Sequence, residues 1–482
     1  MKTNVASTGP HPSVSPEEAD RLTRMPDLEQ ALAFYHRHLA PPTAVDLSVA
    51  ENVLVYDDSM QKTVFANTSL LPEKNIHYFP PYGTDELRQQ VAALLTKAFG
   101  REVDAENVFG TAGVASALEC LAFALKNNAP GVPAPLEDGD GVLIPAPYWQ
   151  GFNWSFEQRP KLTCVPVNLP TEGPHAFRLT VDLIRNQYEE HKKQTGRAPR
   201  LLVLTNPHNP LGVNYSKSLL EDIYAWALGH RDLHIISDEI YCHSQLDSST
   251  TPFTSAVALD AYSEHPTRIH VVWGFAKDFG LSGFRTGFVV SQNTVVKDAM
   301  LGSKDTGAEV RHPMSWFTPF DSLKHHVIGA VLSASADGPG SDLYTTVAMK
   351  TYRSLLSKSF AEAKDSLRRN GIKHLHHDGD NAAQFFWLDL RDYLDLPVPP
   401  APADTMPLPL TAPGLDIREE GLFNYFRRQP TEVSLLPGGV MHSPAPGFFR
   451  LCYTARQPGE VSEAIDRVGT ALALLRPRAQ PS

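Results

Sequence analysis

A single lysine, Lys277, constrains this chain more than any other feature. It lies in Val272-Trp-Gly-Phe-Ala-Lys-Asp-Phe-Gly-Leu-Ser-Gly-Phe-Arg-Thr-Gly287, just past an apolar run that reads as a strand, with Arg285 following after a glycine-rich turn. An amine at the end of a buried strand with a guanidinium nearby is the pair that Schiff-base chemistry on a phosphorylated aldehyde requires. A surface lysine after a strand is the competing reading of this segment taken alone, so its neighbours must decide.

Those neighbours recur at the ends of apolar runs. Val45-Asp-Leu-Ser-Val-Ala-Glu-Asn52 ends an apolar strand with a carboxylate, Glu51, and an amide. Tyr82-Gly83 reads as a turn, and Thr84 can cap a helix running through Val91, Leu94 and Leu95. Phe109-Gly-Thr-Ala-Gly-Val-Ala-Ser116 reads as a small-residue loop opening an apolar helix over 117–125, with the N–H groups of Gly113, Val114 and Ala115 free to hold a phosphate. The predicted strand 141–145 delivers Tyr148 and Trp149, whose flat indole suits stacking on a flat ring. The predicted strand 201–205 delivers Asn206-Pro-His-Asn-Pro-Leu-Gly212, a rigid turn able to aim Asn209 inward. The predicted strand 233–237 delivers Asp238-Glu-Ile-Tyr241. Helices are predicted near 183–191 and over 218–228, and the strand–helix–strand alternation predicts a parallel, doubly wound sheet with these residues on one edge.

Beyond Gly287 the pattern predicts a strand to Ser291, helices near 295–301, 322–332 and 345–369, and then a second lobe of antiparallel strands and helices. The loop 304–319 carries Arg311, His312 and Trp316. The predicted strand 372–377 sets His374 and His376 on one face; without matching Cys or carboxylate spacing it reads as a solvated face, and no metal is expected. Arg450 lies mid-strand among apolar residues, which is costly unless it meets an anion. A closing helix is predicted over 459–475. The organisation expected is a disordered tail (1–16) preceding a helix signal at Ser15-Pro-Glu-Glu18, an N-terminal arm with part of the small domain (17–75), a large domain (76–335), and a small C-terminal domain (336–482) with a proline-rich insertion (395–413).

At 482 residues, 42% hydrophobic and 20% charged, the composition is that of a soluble globular protein, and a formal net charge of −11 argues against a nucleic-acid binder. No stretch approaches a membrane span, and the polar start resembles neither a signal nor a transit segment. Four scattered cysteines without CxxC spacing suggest reduced thiols, hence a cytoplasmic setting.

Taken in order, Ala50-Glu-Asn52, Tyr82-Gly83, Pro147-Tyr-Trp149, Asn206 to Gly212, Ser237-Asp-Glu-Ile-Tyr241, Ala276 to Arg285 and Phe449-Arg450 resemble the class I aminotransferase family of fold-type I pyridoxal phosphate enzymes, and within it the 1-aminocyclopropane-1-carboxylate synthase branch. The resemblance covers roughly residues 40–475. It implies an α/β fold with a large, mostly parallel sheet and a smaller α+β domain. It implies pyridoxal 5'-phosphate as cofactor, held as a Schiff base by Lys277, which then moves the Cα proton of an α-amino acid. Asp238 would keep the ring nitrogen protonated, Tyr241 and Asn209 would bond the ring hydroxyl oxygen, and Trp149 would stack on the ring. Arg285 and the helix start at Gly113 to Ala115 would hold the phosphate, helped by Tyr82 reaching across a homodimer interface. Arg450 would clamp the substrate α-carboxylate, with Glu51, Asn209 and Tyr82 beside the substrate.

Two phrases depart from the family's pattern. Gly274-Phe-Ala-Lys277 replaces Ser-x-Ser-Lys, removing two hydroxyls, and Trp149-Gln-Gly-Phe-Asn-Trp154 replaces Tyr-Pro-Gly-Phe-Asp-Arg, which points away from S-adenosylmethionine as substrate. The activity expected is transamination, with β/γ-elimination or substitution, such as carbon–sulfur lysis, as the alternative. A catalytically silent regulatory protein would be expected to have drifted at Lys277, Asp238, Asn209 or Arg450, and all four stand.

Overall fold

The computed structural model describes residues 45–55, 75, 77, 80–302, 320–336, 340, 342–375, 379–399 and 415–476. The strands are β1 (Val45–Asp46), β2 (Val108–Thr111), β3 (Gly141–Ala146), β4 (Thr163–Asn168), β5 (Leu201–Thr205), β6 (His234–Asp238), β7 (Ile269–Gly274), β8 (Gly287–Ser291), β9 (Lys373–His374), β10 (Phe385–Asp389), β11 (Val433–Ser434), β12 (Leu436–Pro437) and β13 (Phe448–Cys452). Seven form one sheet in the order β2-β8-β7-β6-β5-β3-β4. Within it β8 runs antiparallel to both its neighbours and the remaining pairs are parallel, so the sheet is mostly parallel, as the resemblance implies.

Every residue of β3, β5, β6, β7 and β8 is buried, which is why these strands read as unbroken apolar runs. The edge strand β4 alternates exposed and buried positions, a weaker signal that the sequence reading does not detect. The stretch 109–116 corrects that reading more directly. It is not a loop throughout: Val108–Thr111 pairs with β8, and the following helix begins at Val114 rather than at residue 117. Val108, Phe109 and Thr111 favour a strand, and the ladder with β8 carries it through Gly110; the small residues that follow Thr111 are what make the whole stretch read as a loop.

Register sets the site. Thr205 pairs with Asp238, Asp238 with Val272, and Gly274 with Gly287. The turn after β5, the end of β6, the segment after β7 and the segment before β8 therefore leave the sheet along one edge. Capping fixes the flanking helices: Thr84 accepts the Leu87 N–H at the start of Asp85–Phe99, and Thr180 and Gly196 bracket Val181–Thr195. Those caps extend the second helix beyond the predicted 183–191.

The smaller lobe has a four-stranded antiparallel sheet, β12-β13-β10-β9, and the pair β1–β11 joins the N-terminal segment to it. The long helix Tyr344–Arg369 buries Tyr352, Leu356, Phe360, Ala363 and Leu367, a 3.6-residue stripe, and sets Phe360 flat on Phe386 with ring centroids 4.8 Å apart. β10 and the helix Ile417–Phe426 are elements the sequence reading does not predict. Of the strand foreseen over 372–377, the described residues show β9, Lys373–His374, with Ile372 and Leu375 outside it. The N-terminal tail and its helix signal, His376, the loop 304–319 and most of the proline-rich insertion lie outside the described residues. No disulfide joins the four cysteines, and among the described residues no helix is long and apolar enough to cross a membrane.

One glycine ties the two lobes together. Gly212 has φ +68° and accepts the Ala382 N–H at 2.8 Å, and a Cβ there would stand 2.5 Å from the Phe385 carbonyl oxygen. Gly212→Ala is therefore expected to destabilise the protein by about 1–3 kcal/mol, read as a lowered urea midpoint with an unchanged slope.

Candidate active site

Lys277 stands three residues beyond β7, partly buried, and its Nζ donates to the Ala50 carbonyl at 2.7 Å. Its own carbonyl accepts from Asn52 Nδ2 at 2.8 Å and Gln384 Nε2 at 3.3 Å. Burial pushes the ammonium pKa down; Glu51 opposes that, while Arg450 and Arg285 reinforce it. A depressed lysine pKa raises the fraction of free amine at neutral pH, which suits both nucleophile and base.

Asp238, 4% exposed at the end of β6, accepts the Ile240 N–H at 3.3 Å. Burial pushes its carboxyl up to about 7 against the pull of that N–H and of Lys277. A buried carboxylate in this state is complementary to a cation brought into the site. Tyr241 is buried and meets Phe385 edge-on at 5.3 Å, and burial drives its phenol pKa well up. Asn209 Oδ1 accepts from Arg450 Nη1 at 2.8 Å.

Arg450, 4% exposed in the middle of β13, also donates Nη2 to the Ser48 carbonyl at 2.6 Å and lies 4.6 Å over the Phe385 ring. Its Nε has no hydrogen-bond partner, and among the described residues no carboxylate comes within ion-pair distance. A desolvated guanidinium hydrogen-bonded only to neutral oxygens, with the charge of Asp46 reaching it from outside ion-pair distance, is a site shaped for an incoming carboxylate.

Opposite lies an anion cradle. The helix Val114–Ala124 starts at Gly113 (φ +98°) with no side-chain cap on its first N–H groups. Arg285, itself left-handed at φ +50°, lies so close that a Cβ on Gly113 would be 2.8 Å from its Nη2. A Cβ on Gly287 would fall 2.5 Å from the Gly113 carbonyl carbon, so small residues at both positions let the helix start settle against β8. Uncapped N–H groups, the positive helix end and a guanidinium together suit a phosphate.

Three other expected residues have contacts of their own. Trp149 is half-buried, edge-on to Phe152 and Trp154, and folds over Gly151. The Arg88 guanidinium carbon lies 5.6 Å over the Tyr82 ring centroid, and the Tyr82 carbonyl accepts the Gly110 N–H. Both Glu51 carboxylate oxygens accept from Ser282 Oγ at 2.8 Å.

Sequence reasoning assigns no role to Ser48, Ser244, Asp278, Ser282, Tyr352 or Gln384, yet all of them contact this region. Ligand atoms of Cys242, His243 and Asp278 lie within 4.8 Å of one another. Both Asp278 oxygens are already engaged, by the Ser244 hydroxyl at 2.6 Å and the His243 N–H at 3.0 Å, so the trio reads as an anchor for the segment after Lys277.

A sequence profile described as Aminotransferase class I and II matches residues 44–468. The chain belongs to that family. It is 28% identical over 447 residues to 1-aminocyclopropane-1-carboxylate synthase 3 of Oryza sativa subsp. japonica, covering 89% of this chain and 87% of that protein. A Mus musculus protein described as probable inactive 1-aminocyclopropane-1-carboxylate synthase-like protein 2 is 34% identical over 273 residues, 55% of this chain and 44% of that one. Among solved structures, aspartate aminotransferase from Thermus thermophilus with maleate aligns with a TM-score of 0.64 at 21% identity, covering 94% of this chain and 98% of that one. The aromatic aminotransferase from Pyrococcus horikoshii OT3 aligns with a TM-score of 0.64 at 21% identity, covering 92% and 99%. At such identities the structural likeness is one of fold.

Class I aminotransferases and the synthases use pyridoxal 5'-phosphate, and the residues present fit it. The uncapped helix start with Arg285 matches its phosphate, and the buried Asp238 matches a protonated ring nitrogen.

Asp238 gives a pH signature in the cofactor-free protein. An acid whose pKa rises from about 4 unfolded to about 7 folded leaves stability intact at low pH and removes it as pH climbs between those values, here by up to about 4 kcal/mol. Asp238→Asn removes that contribution. Thermal midpoints of the cofactor-free variant should therefore fall less than those of the parent between pH 4 and pH 7.5.

Proposed function

We propose that this chain is a pyridoxal phosphate enzyme that removes the Cα proton of an α-amino acid and works as an aminotransferase. The observation that carries the reading is the pairing of a pKa-depressed Lys277 with a buried Arg450 that has no carboxylate partner among the described residues. Arg450 would take the substrate α-carboxylate in a bidentate pair, with Asn209 and the Ser48 carbonyl fixing its plane. Lys277 would hold the cofactor and then carry the proton to and from Cα. Asp238 would keep a proton on the ring nitrogen, Tyr241 and Asn209 would bond the ring hydroxyl oxygen, and Trp149 would cover one ring face. Gly113, Val114, Ala115 and Arg285 would hold the phosphate. When bound, the cofactor supplies an aldehyde that captures the substrate amine and a ring that draws electron density from Cα.

On this reading Tyr82 would reach the site of a second copy in a homodimer, and the scattered free thiols favour a cytoplasmic setting. A second reading, β/γ-elimination or substitution, is favoured by one observation. The Glu51 carboxylate, held by Ser282 beside Lys277, puts a negative charge where a substrate with a cationic leaving group could lie.

Mixing the holoenzyme with a panel of amino acids, without any keto-acid acceptor, separates the two. Loss of the cofactor's visible band in one stoichiometric turnover, with a keto acid formed, supports transamination. A persistent band with ammonia, a thiol or a cyclised product accumulating over many turnovers assigns elimination instead. Arg450→Lys keeps the charge but loses the bidentate fork, and should raise KM by roughly 10- to 100-fold in steady-state kinetics.

A further inference from the structure

The buried polar groups behind Lys277 form a hydrogen-bond chain whose direction is fixed by its ends. Gln384, wholly buried where the chain enters β10, donates through Nε2 to the Lys277 carbonyl at 3.3 Å and to the Tyr352 hydroxyl at 2.8 Å, with Ser244 Oγ a further acceptor at 3.3 Å. A carbonyl oxygen only accepts, so the amide must turn its nitrogen toward Lys277. At the other end the Asp278 carboxylate accepts from the Ser244 hydroxyl at 2.6 Å. Ser244 and Tyr352 hydroxyls stand 2.7 Å apart. With Asp278 ionised, Ser244 gives it its one proton and so must accept from Tyr352, and Tyr352 in turn accepts from Gln384. The order is Gln384, Tyr352, Ser244, Asp278, each donating to the next.

These four groups come from four separate stretches of chain. Tyr352 lies on the long helix and Gln384 before β10, both in the smaller lobe; Ser244 follows β6, and Asp278 adjoins Lys277. All four are wholly buried. The smaller lobe therefore grips the lysine from two sides, at its own carbonyl and through its neighbour's carboxylate. The same lobe carries Arg450. The Gln384 backbone carbonyl accepts the Tyr453 N–H at 3.0 Å, just past β13, and Trp387 of β10 pairs with Arg450 in register.

We propose that Tyr352 and Gln384 are positioning residues that fix Lys277 relative to Arg450, through the directional chain to Asp278 and the amide bond to the Lys277 carbonyl. This rests on the reading that Arg450 holds the substrate carboxylate while Lys277 moves the Cα proton. The two groups then set the distance between amine and Cα, and a misplacement of about 1 Å can cost as much as 100-fold in rate. An apolar contact of the same volume would join the lobes without specifying that distance. Neither residue touches substrate or cofactor in this assignment; both act through Lys277.

The test uses Tyr352→Phe, which removes one hydroxyl and keeps the ring, and Gln384→Met, which keeps the length and removes the donor facing the Lys277 carbonyl without adding a charge. Three readouts are taken: kcat and KM of the holoenzyme with its best amino acid, the thermal midpoint, and the pH profile of acylation at Lys277 in the cofactor-free protein, followed by peptide mapping. The expected result is a kcat lowered between about 10- and 100-fold with KM within about threefold of the parent. The acylation midpoint should also rise toward the ordinary lysine value, as a loosened amine regains water. Folded variants with parental kcat and acylation midpoint overturn the proposal, as does a lowered thermal midpoint with neither of the other two moving. If the parent protein gives no visible band with added pyridoxal 5'-phosphate, the functional reading fails. The acylation profile still decides whether Tyr352 and Gln384 position Lys277.

Discussion

The constraint on which this architecture turns is the desolvation of two cations. Arg450 lies wholly inside, Lys277 partly so, and among the described residues neither has a carboxylate at ion-pair distance. Neutral oxygens hold them instead: the Ala50 carbonyl for the amine, and the Asn209 amide and Ser48 carbonyl for the guanidinium. Burial lowers the pKa of both groups, a direct sign that their charged forms are disfavoured. Such a site is tolerable only on a scaffold that can absorb the cost. Here it rests on a seven-stranded sheet whose central strands are buried throughout, and on aromatic packing of Trp273, Phe275, Phe279 and Phe288.

The sheet also decides which side of the molecule carries that cost. Parallel strands end together, so β5, β6 and β7 release their chains along one edge, and the antiparallel β8 brings Arg285 back to it. Opposed partial charges then fall into separate places. The helix start at Gly113 and Arg285 make one end positive, while Asp238 supplies a carboxylate at the end of β6. A flat ligand with a phosphate at one end and a basic nitrogen at the other is complementary to that arrangement.

Much of this was legible in the chain because it is written as interruption. Lys277, Asp238 and the Asn206 to Gly212 turn are polar or glycine-bearing groups that follow unbroken apolar runs, and the run itself announces a buried strand. The features that escaped were those that depend on pairing. β2 escaped because Gly110 and the small residues after Thr111 make 109–116 read as one loop, although Val108, Phe109 and Thr111 favour a strand and pair with β8. β4 hides because an edge position needs only alternate burial. Gln384 is a lone amide before Phe385-Phe-Trp-Leu, and its identity carries no hint that its partners lie at positions 277 and 352. Tertiary partners of a buried polar group are a property of the fold, and local pattern does not encode them.

The placement of the two cations separates recognition from chemistry. Arg450 belongs to β13 of the smaller lobe and Lys277 to the segment after β7 of the larger, so on the proposed reading neither lobe alone would bring a carboxylate and a base to the same carbon. The contacts that register them run through groups with no chemical function of their own, such as Asn52 at the Lys277 carbonyl and Gly212 against β10. Removal of the Cα proton needs only that register. The fate of the substrate once that proton has left depends on where its electrons go, and therefore on the substrate's far end, which neither cation contacts. Glu51, whose charge reaches Lys277, is anchored by Ser282 rather than by either cation. On the proposed reading, a carboxylate beside the amine would disfavour an acidic substrate side chain and favour a cationic one, so the substrate that this charge admits, rather than the amine that both outcomes share, would govern the branch between transfer and elimination.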